Sequence, residues 1–204
     1  MNRGEAASVA KSVGLPVAVK VRSPEVLHKS EVQGVRLDLG SEEEVARAFD
    51  QVKSALARAN PDARFEGVTV EPMIRGGIET IVGMTRDPSF GPVVLFGLGG
   101  VTAELLRDVT LRVAPLTDRD AEEMVREIRG FPLLEGFRGA PAANVPALVD
   151  LLHRVSRLAT EVDEIAELDL NPVAALPGNA PCVALDARVR LVPAAKAALV
   201  EQPA

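Results

Sequence analysis

Neither tryptophan nor tyrosine occurs in the 204 residues, and aromatics amount to 3%. Single-stranded nucleic acids are gripped by stacking on several exposed rings, so that class is disfavoured. A core without large rings has to be built from Val, Leu, Ile and Ala, which suits buried strands covered by helices. Cysteine is nearly absent as well. Cys182 stands alone, which excludes an intrachain disulfide and a cysteine zinc site. His28 and His153 are the only histidines, too few for a His-rich metal centre. No apolar run reaches membrane-spanning length, and the opening M-N-R-G-E-A-A lacks the apolar core of a signal peptide. Positive charge is not in excess either: 23 Lys and Arg against 29 Asp and Glu give a net charge of −6. Such a balance offers nothing to attract nucleic acid or an anionic membrane. The expectation is a cytoplasmic, soluble protein with no nucleic-acid and no membrane partner.

What is present is globular: 47% hydrophobic and 25% charged residues, with the charges interspersed. Residues 4–13 read as a short helix stopped by Gly14 and Pro16. P-V-A-V-K-V-R follows as a strand with Val17, Val19 and Val21 on one face. After a polar loop, G-V-R-L-D-L is a second strand, and Ser41 with Glu44 predicts a capping box opening a helix to about residue 59. F-E-G-V-T-V-E-P-M, the turn R-G-G and I-E-T-I-V-G-M-T read as strand, turn and strand. The short strand P-V-V-L-F runs into G-L-G-G, then come a helical turn over V-T-A-E-L-L-R-D, a strand T-L-R-V-A-P-L and a helix after Thr117. Residues 130–145, rich in Gly and Pro, read as a long connection before a helix over about 145–161. A hairpin closes the pattern: I-A-E-L-D-L-N-P-V, a turn L-P-G-N-A-P, then C-V-A-L-D-A-R. Mixed strands and helices of this kind predict an α/β or α+β fold.

The hairpin carries the most informative spacing. Asp169 and Asn171 are two apart, so a strand points both to one face. Folding back about Pro177–Asn179 brings Asp186 opposite Asn171 within a residue or so. Two carboxylates and an amide oxygen suit Mg²⁺, which binds through one or two hard protein oxygens plus phosphates; strand-end turns explain the same residues without a metal. Lys20 could set an ammonium over a phosphate, or simply lie on a solvated face with Ala18 and Arg22. His28, in the loop H-K-S, could accept or donate to a phosphoryl group, or be an exposed loop residue. Gly97, Gly99 and Gly100 after a buried strand offer backbone N–H groups to phosphate, or serve a tight strand-to-helix turn. With Thr102 three positions after Gly99, the loop fails the dinucleotide fingerprint. Glu71 and Glu79 flank the R-G-G turn, where strand-edge charge accounts for them equally.

Taken in order, P-V-A-V-K-V, H-K-S-E-V-Q-G-V, V-E-P-M-I-R-G-G-I-E, F-G-P-V-V-L-F-G-L-G-G, R-V-A-P-L, E-L-D-L-N-P-V and L-D-A-R closely resemble the ATP-grasp domain of ADP-forming acyl-CoA synthetases. The last two also resemble the end of the nucleotide-binding lobe of succinyl-CoA synthetase β subunits. The resemblance runs over about residues 5–190, and G-F-P-L-L-E-G-F-R-G-A-P is most similar to actinobacterial forms fused to a GNAT acetyltransferase domain. It implies an ATP-grasp fold of two lobes, residues 1–65 and 66–204, with a nucleotide cleft between them. It further implies that Lys20 contacts ATP phosphates and that His28 sits by the γ-phosphate. Glu71, Pro72, Met73 and Ile74 would form the adenine-reading hinge, and Glu79 would hold the ribose. Gly99 and Gly100 would line the phosphates, with Glu104 and Arg112 nearby. Asn171 and Asp186 would bind Mg²⁺, with Asp169 beside them. The family often has aspartate and glycine where this loop has Glu31 and Gln33.

The implied partner is a CoA-binding or CoA-ligase domain carrying the phosphorylated histidine, which nothing in this sequence resembles. The leading function is therefore MgATP/ADP handling within an acid–thiol ligase of the ADP-forming type. A sensing module attached to a protein acetyltransferase is the alternative, and a dinucleotide oxidoreductase is disfavoured by the missing third glycine.

Overall fold

The computed structural model describes residues 2–26, 29–100 and 108–192, which fall into two compact units, Met1–Arg75 and Gly76–Ala204. The boundary lies at Arg75/Gly76 instead of 65/66, because the strand starting at Gly67 is bonded into the sheet of the first unit.

In the first unit, strand β1 (Val17–Arg22) is the centre of a three-stranded sheet, with β2 (Val35–Leu39) and β3 (Gly67–Pro72) antiparallel on either side. Its alternation buries Val17, Val19 and Val21, as the sequence predicts. Helix α1 (Arg3–Val13) and helix α2 (Glu42–Ala59) cover that face. Along α2 the buried set Val45, Ala48, Phe49, Val52, Ala55 and Leu56 recurs at three- and four-residue spacing, the stripe a core-facing helix needs. Ser41 caps α2 by accepting from the Glu44 amide, but the Glu44 carboxylate takes the Gly40 N–H at 2.7 Å. The expected capping box is thus only half formed there. Full boxes close on Asn2–Glu5 and Thr117–Asp120 instead.

The second unit is a six-stranded antiparallel sheet. Strands β4 (Ile78–Asp87), β5 (Gly91–Leu98), β6 (Val109–Val113), β7 (Ile165–Ala175), β8 (Val183–Ala184) and β9 (Ala187–Leu191) are ordered β6-β5-β4-β7, with β8 and β9 both on β7. Helix α3 (Asp118–Glu127) and helix α5 (Val145–Glu161) cover one face through Val82, Met84, Val94, Phe96, Met124, Leu148 and Leu152. Residues 130–145 are less irregular than predicted. They hold the short helix α4 (Phe131–Leu134) and a 3₁₀ turn at Phe137–Gly139, because Leu134 is fully buried and Phe131 packs beside it. The helical turn expected over 101–108 lies, up to residue 107, outside the described residues. Among those described, no helix is long and apolar enough to cross a membrane.

Leu152 is 0% exposed between α5 and the sheet, whereas Leu158 on the same helix is 37% exposed. Leu152→Ala is expected to destabilise the protein by about 2–5 kcal/mol, set by the cavity left behind. Leu158→Ala should cost under about 1 kcal/mol. Urea unfolding of both variants measures the difference.

Candidate functional site

The first unit places Lys20 on the sheet face opposite its helices, alternating with the buried valines. The β1–β3 register sets Lys20 directly across from Thr69, and Ala18 across from Glu71. From there the Lys20 ammonium reaches diagonally to Glu71 Oε2 at 2.6 Å, and Thr69 Oγ1 donates to Glu71 Oε1 at 3.0 Å. The Lys20 side chain is 12% exposed and that of Glu71 40%, so the ammonium is held largely out of water while the carboxylate stays reachable. Beyond Glu71, the Met73 N–H donates to Pro16 O at 3.0 Å, and Arg75 is anchored on Asp38 at 2.7 Å. Glu71 and Pro72 end β3, and Met73 and Ile74 therefore leave the sheet from a fixed starting line.

His28 lies outside the described residues. The loop end that follows it is seated tightly. The Gly34 N–H donates to Lys29 O at 2.8 Å, and Val21 N–H to Gly34 O at 2.7 Å. A Cβ on Gly34 would stand 2.3 Å from Val21 Cγ1, so only glycine lets the loop lie against β1. Next to it Gln33 has φ 51, a left-handed conformation that costs a non-glycine residue about 1–2 kcal/mol. Glycine, which the family often has at this position, adopts it freely.

In the second unit, alternation divides the sheet into two faces. Thr80, Val82 and Met84 of β4 face the helices, and Glu79, Ile81, Gly83 and Thr85 face the other way. Asp169 of β7 lies across from Gly83, and on its other side across from Arg188 of β9. Asn171 follows two residues on. The expected return of the hairpin is correct at this point: Asn171 N–H donates to Asp186 O at 3.2 Å. The returning strand is not continuous, however. It breaks between β8 and β9, Leu185 N–H bonding Pro172 O at 2.9 Å, and Asp186 sits in the break. There its Oδ1 accepts from the Ala187 amide at 3.1 Å. The backbone thus places Asn171, with Asp169 two residues before it on β7, beside Asp186 in the break. Their hard oxygens fit Mg²⁺, with the remaining positions left to water or phosphate. Among the described residues, no cluster of three or more His, Cys, Asp or Glu could hold a metal by itself.

Glu79 meets the glycine loop. Gly99 N–H donates to Glu79 O at 2.7 Å, and a Cβ on Gly100 would stand 2.8 Å from Glu79 Oε2. The glycine at 100, with φ 64, leaves the space into which the Glu79 carboxylate folds. Glu104 lies outside the described residues. Arg112 is not brought to this group. It shares the helix-covered face with Val94, and Nη2 binds both oxygens of Glu127 on α3, at 2.7 and 2.8 Å. The Glu127 carboxylate raises the Arg112 guanidinium further above its ordinary value. On the open side of β7, the hydrogen bond from Arg190 lowers the Glu167 carboxyl. Its cross-strand bond therefore helps stability above the ordinary Glu range and is lost as pH falls through the lowered value. Sequence reasoning missed Thr69 and Arg188. The spacing T-V-E already puts Thr69 and Glu71 on one strand face, but only the strand register shows that Lys20 lies opposite.

The profile of the ATP-grasp domain family matches residues 1–191. The β subunit of acetate–CoA ligase [ADP-forming] I from Pyrococcus furiosus is 44% identical over 190 residues, covering 93% of this chain and 81% of that one. The chain belongs to the ATP-grasp family, among the β subunits of ADP-forming acetate–CoA ligases. Acetate–CoA ligase [ADP-forming] I from Archaeoglobus fulgidus is 50% identical over 172 residues, 84% of this chain. The ATP-grasp chain spans only 25% of that longer relative. A solved structure of Ca. Korarchaeum cryptofilum acetyl-coenzyme A synthetase 1 superposes with a TM-score of 0.80 at 44% identity, covering 92% of this chain and 82% of that one. That protein is in complex with coenzyme A and Mg-AMPPCP, its phosphohistidine segment pointing towards the nucleotide binding site.

Two local substitutions test the geometry. Gln33→Gly is expected to stabilise the protein by about 0.5–1 kcal/mol, the relieved backbone strain outweighing the added freedom of the unfolded chain. Gly100→Ala should destabilise by about 1 kcal/mol or more and displace the Glu79 side chain. Thermal unfolding reads both, and a crystal structure of Gly100→Ala reads the second.

Proposed function

We propose that this chain is the ATP-handling part of an ADP-forming acyl-CoA ligase. It would exchange a phosphoryl group between ATP and a histidine on a partner CoA-ligase domain or subunit. The observation that carries the reading is the pairing of Asn171 with Asp186 at the break in the hairpin, with Asp169 two residues before Asn171. An oxygen-rich group of this kind suits the hard cation that accompanies a triphosphate.

On this reading the site residues act as the resemblance implies. Lys20 binds phosphate oxygens, the backbone of Glu71–Ile74 reads the adenine edge, and Glu79 hydrogen-bonds the ribose hydroxyls. His28 and Glu104 keep the roles that the resemblance implies, beside the γ-phosphate and near the phosphates. Gly99 and Gly100 line the phosphate side, and Asn171, Asp186 and Asp169 hold Mg²⁺. When bound, the ion neutralises charge on the phosphates. In the transfer itself, a lone pair on the partner's imidazole nitrogen forms the new P–N bond. The bond from the γ-phosphorus to the bridging oxygen breaks, ADP leaves with that electron pair, and the imidazole sheds its other N–H proton to solvent. Such a transfer asks the protein for in-line placement and charge neutralisation more than for covalent chemistry. Arg112 takes no part, being committed to Glu127.

The full reaction, acid plus CoA plus ATP giving acyl-CoA, ADP and phosphate, needs the partner and belongs in the cytoplasm, where these substrates occur together. A GNAT domain as partner, and kinship with succinyl-CoA synthetase, are supported by the sequence blocks alone.

Calorimetric titration with ATP and ADP, with and without Mg²⁺, is the test. MgATP should bind saturably, and the Asn171→Ala/Asp186→Ala variant should bind at least about tenfold more weakly, as for loss of one neutral and one charged oxygen ligand together worth about 1.4 kcal/mol or more. Arg112→Met should lose about 1 kcal/mol of stability with unchanged affinity. With the γ-phosphate labelled and the partner domain added, label should appear on a histidine of the partner. A folded chain that binds no MgATP would sink the reading.

A further inference from the structure

Three buried or half-buried threonines on the sheets use their hydroxyls differently. Thr80 donates to Val173 O and Thr110 to Met124 O, bonds from a hydroxyl to a backbone carbonyl. Thr69 instead donates to a side chain, Glu71 Oε1 at 3.0 Å, whose other oxygen is 2.6 Å from the Lys20 ammonium. Thr69 is also the residue directly across the ladder from Lys20. Lysine, threonine and glutamate thus share one face of β1 and β3, linked through the carboxylate.

We propose that Thr69 is a positioning residue for Lys20, acting through the Glu71 carboxylate. The inference rests on the reading of Lys20 as a phosphate contact. Its physical basis is the difference in stiffness among the three side chains. A lysine ammonium ends a four-carbon stem with many rotamers, and a glutamate's terminal torsion is broad. The β-branched threonine is confined at χ1, so its hydroxyl is the rigid member. Bonding Oε1 to Thr69 fixes the plane of the carboxylate, and Oε2 then fixes the ammonium. With the Lys20 side chain 12% exposed, water competes poorly for that ammonium, and the carboxylate 2.6 Å away helps to set its direction. When a phosphate draws the ammonium over, Oε1 remains bonded to Thr69. The carboxylate stays in place to receive Lys20 again after ADP leaves.

The test uses Thr69→Val, which keeps the branched shape and removes the hydroxyl, and Thr69→Ser, which keeps the hydroxyl. Glu71→Ala and the double variant Thr69→Val/Glu71→Ala complete a cycle. Calorimetry should show MgATP binding about 3–10-fold weaker in Thr69→Val, the range of one lost hydrogen bond, and within about twofold of the parent in Thr69→Ser. In the Glu71→Ala background, Thr69→Val should add nothing, because the group it acts through is gone. A second readout needs no nucleotide. The rate at which acetic anhydride modifies Lys20, relative to Lys11, should rise in Thr69→Val and in Glu71→Ala and stay at the parent value in Thr69→Ser. Unchanged affinity in Thr69→Val, or a full additive loss in the double variant, overturns the proposal. If the parent chain binds no MgATP, the reading of the site fails instead. The acetylation ratio then decides Thr69 alone, and an unchanged ratio in Thr69→Val overturns its positioning role.

Discussion

The second unit depends on the antiparallel pairing of β4 with β7. Between Thr80 and Val82 the register of that pairing shifts, and the fully buried Thr80 gives its hydroxyl to Val173 O across the irregularity. Everything chemically interesting in the unit is counted from there. Glu79 precedes the shift and meets the glycine loop, while Gly83, after it, faces Asp169. Because side chains alternate, a slip of one residue would turn Asp169 and Asn171 into the helices and bring Leu168 and Leu170 out. The apolar core between the sheet and α3 and α5 is what forbids that slip, so burial on one face fixes acid placement on the other.

Two ion pairs of similar chemistry show how position decides use. Arg112 and Glu127 join a strand to a helix on the covered face, both oxygens engaged, and act as a brace. Lys20 and Glu71 join two strands on the face away from the helices, the carboxylate partly open and its second oxygen held by a hydroxyl. On the proposed reading the second pair exchanges its partner, as a lysine that binds phosphate must.

The chain spans about four fifths of the β-subunit relative and a quarter of the single-chain one. On the proposed reading this division has a chemical sense. Holding a nucleotide and its cation needs rigid strands with hard oxygens and one ammonium, while the acid, CoA and the travelling histidine belong to another part. Gln33, at φ 51 where glycine would be unstrained, shows that the loop next to His28 carries a local cost in this chain.

Strands and helices with strong local periodicity were legible from the sequence: the Val17–Val19–Val21 alternation, the stripe of α2, the helix over 145–161 and the hairpin that returns Asp186 to Asn171. All rest on spacings within one element or across one short turn. The half-formed cap at Ser41 was not, because the Glu44 carboxylate takes the neighbouring Gly40 N–H; nor were the helix inside 130–145 and the break between β8 and β9, which are settled by contacts with residues elsewhere. The same holds for Arg112, whose strand face is set by the β5 register, and for Thr69, which needs the pairing of β1 with β3. Lys20 and Glu71 are 51 residues apart, and no local pattern encodes that meeting. The sequence by itself determined the elements, the family and the types of side chain available for phosphate and cation. Only the tertiary structure decided which of them share a face, because strand register comes from burying one side of a sheet, a property of the whole core and of no single segment.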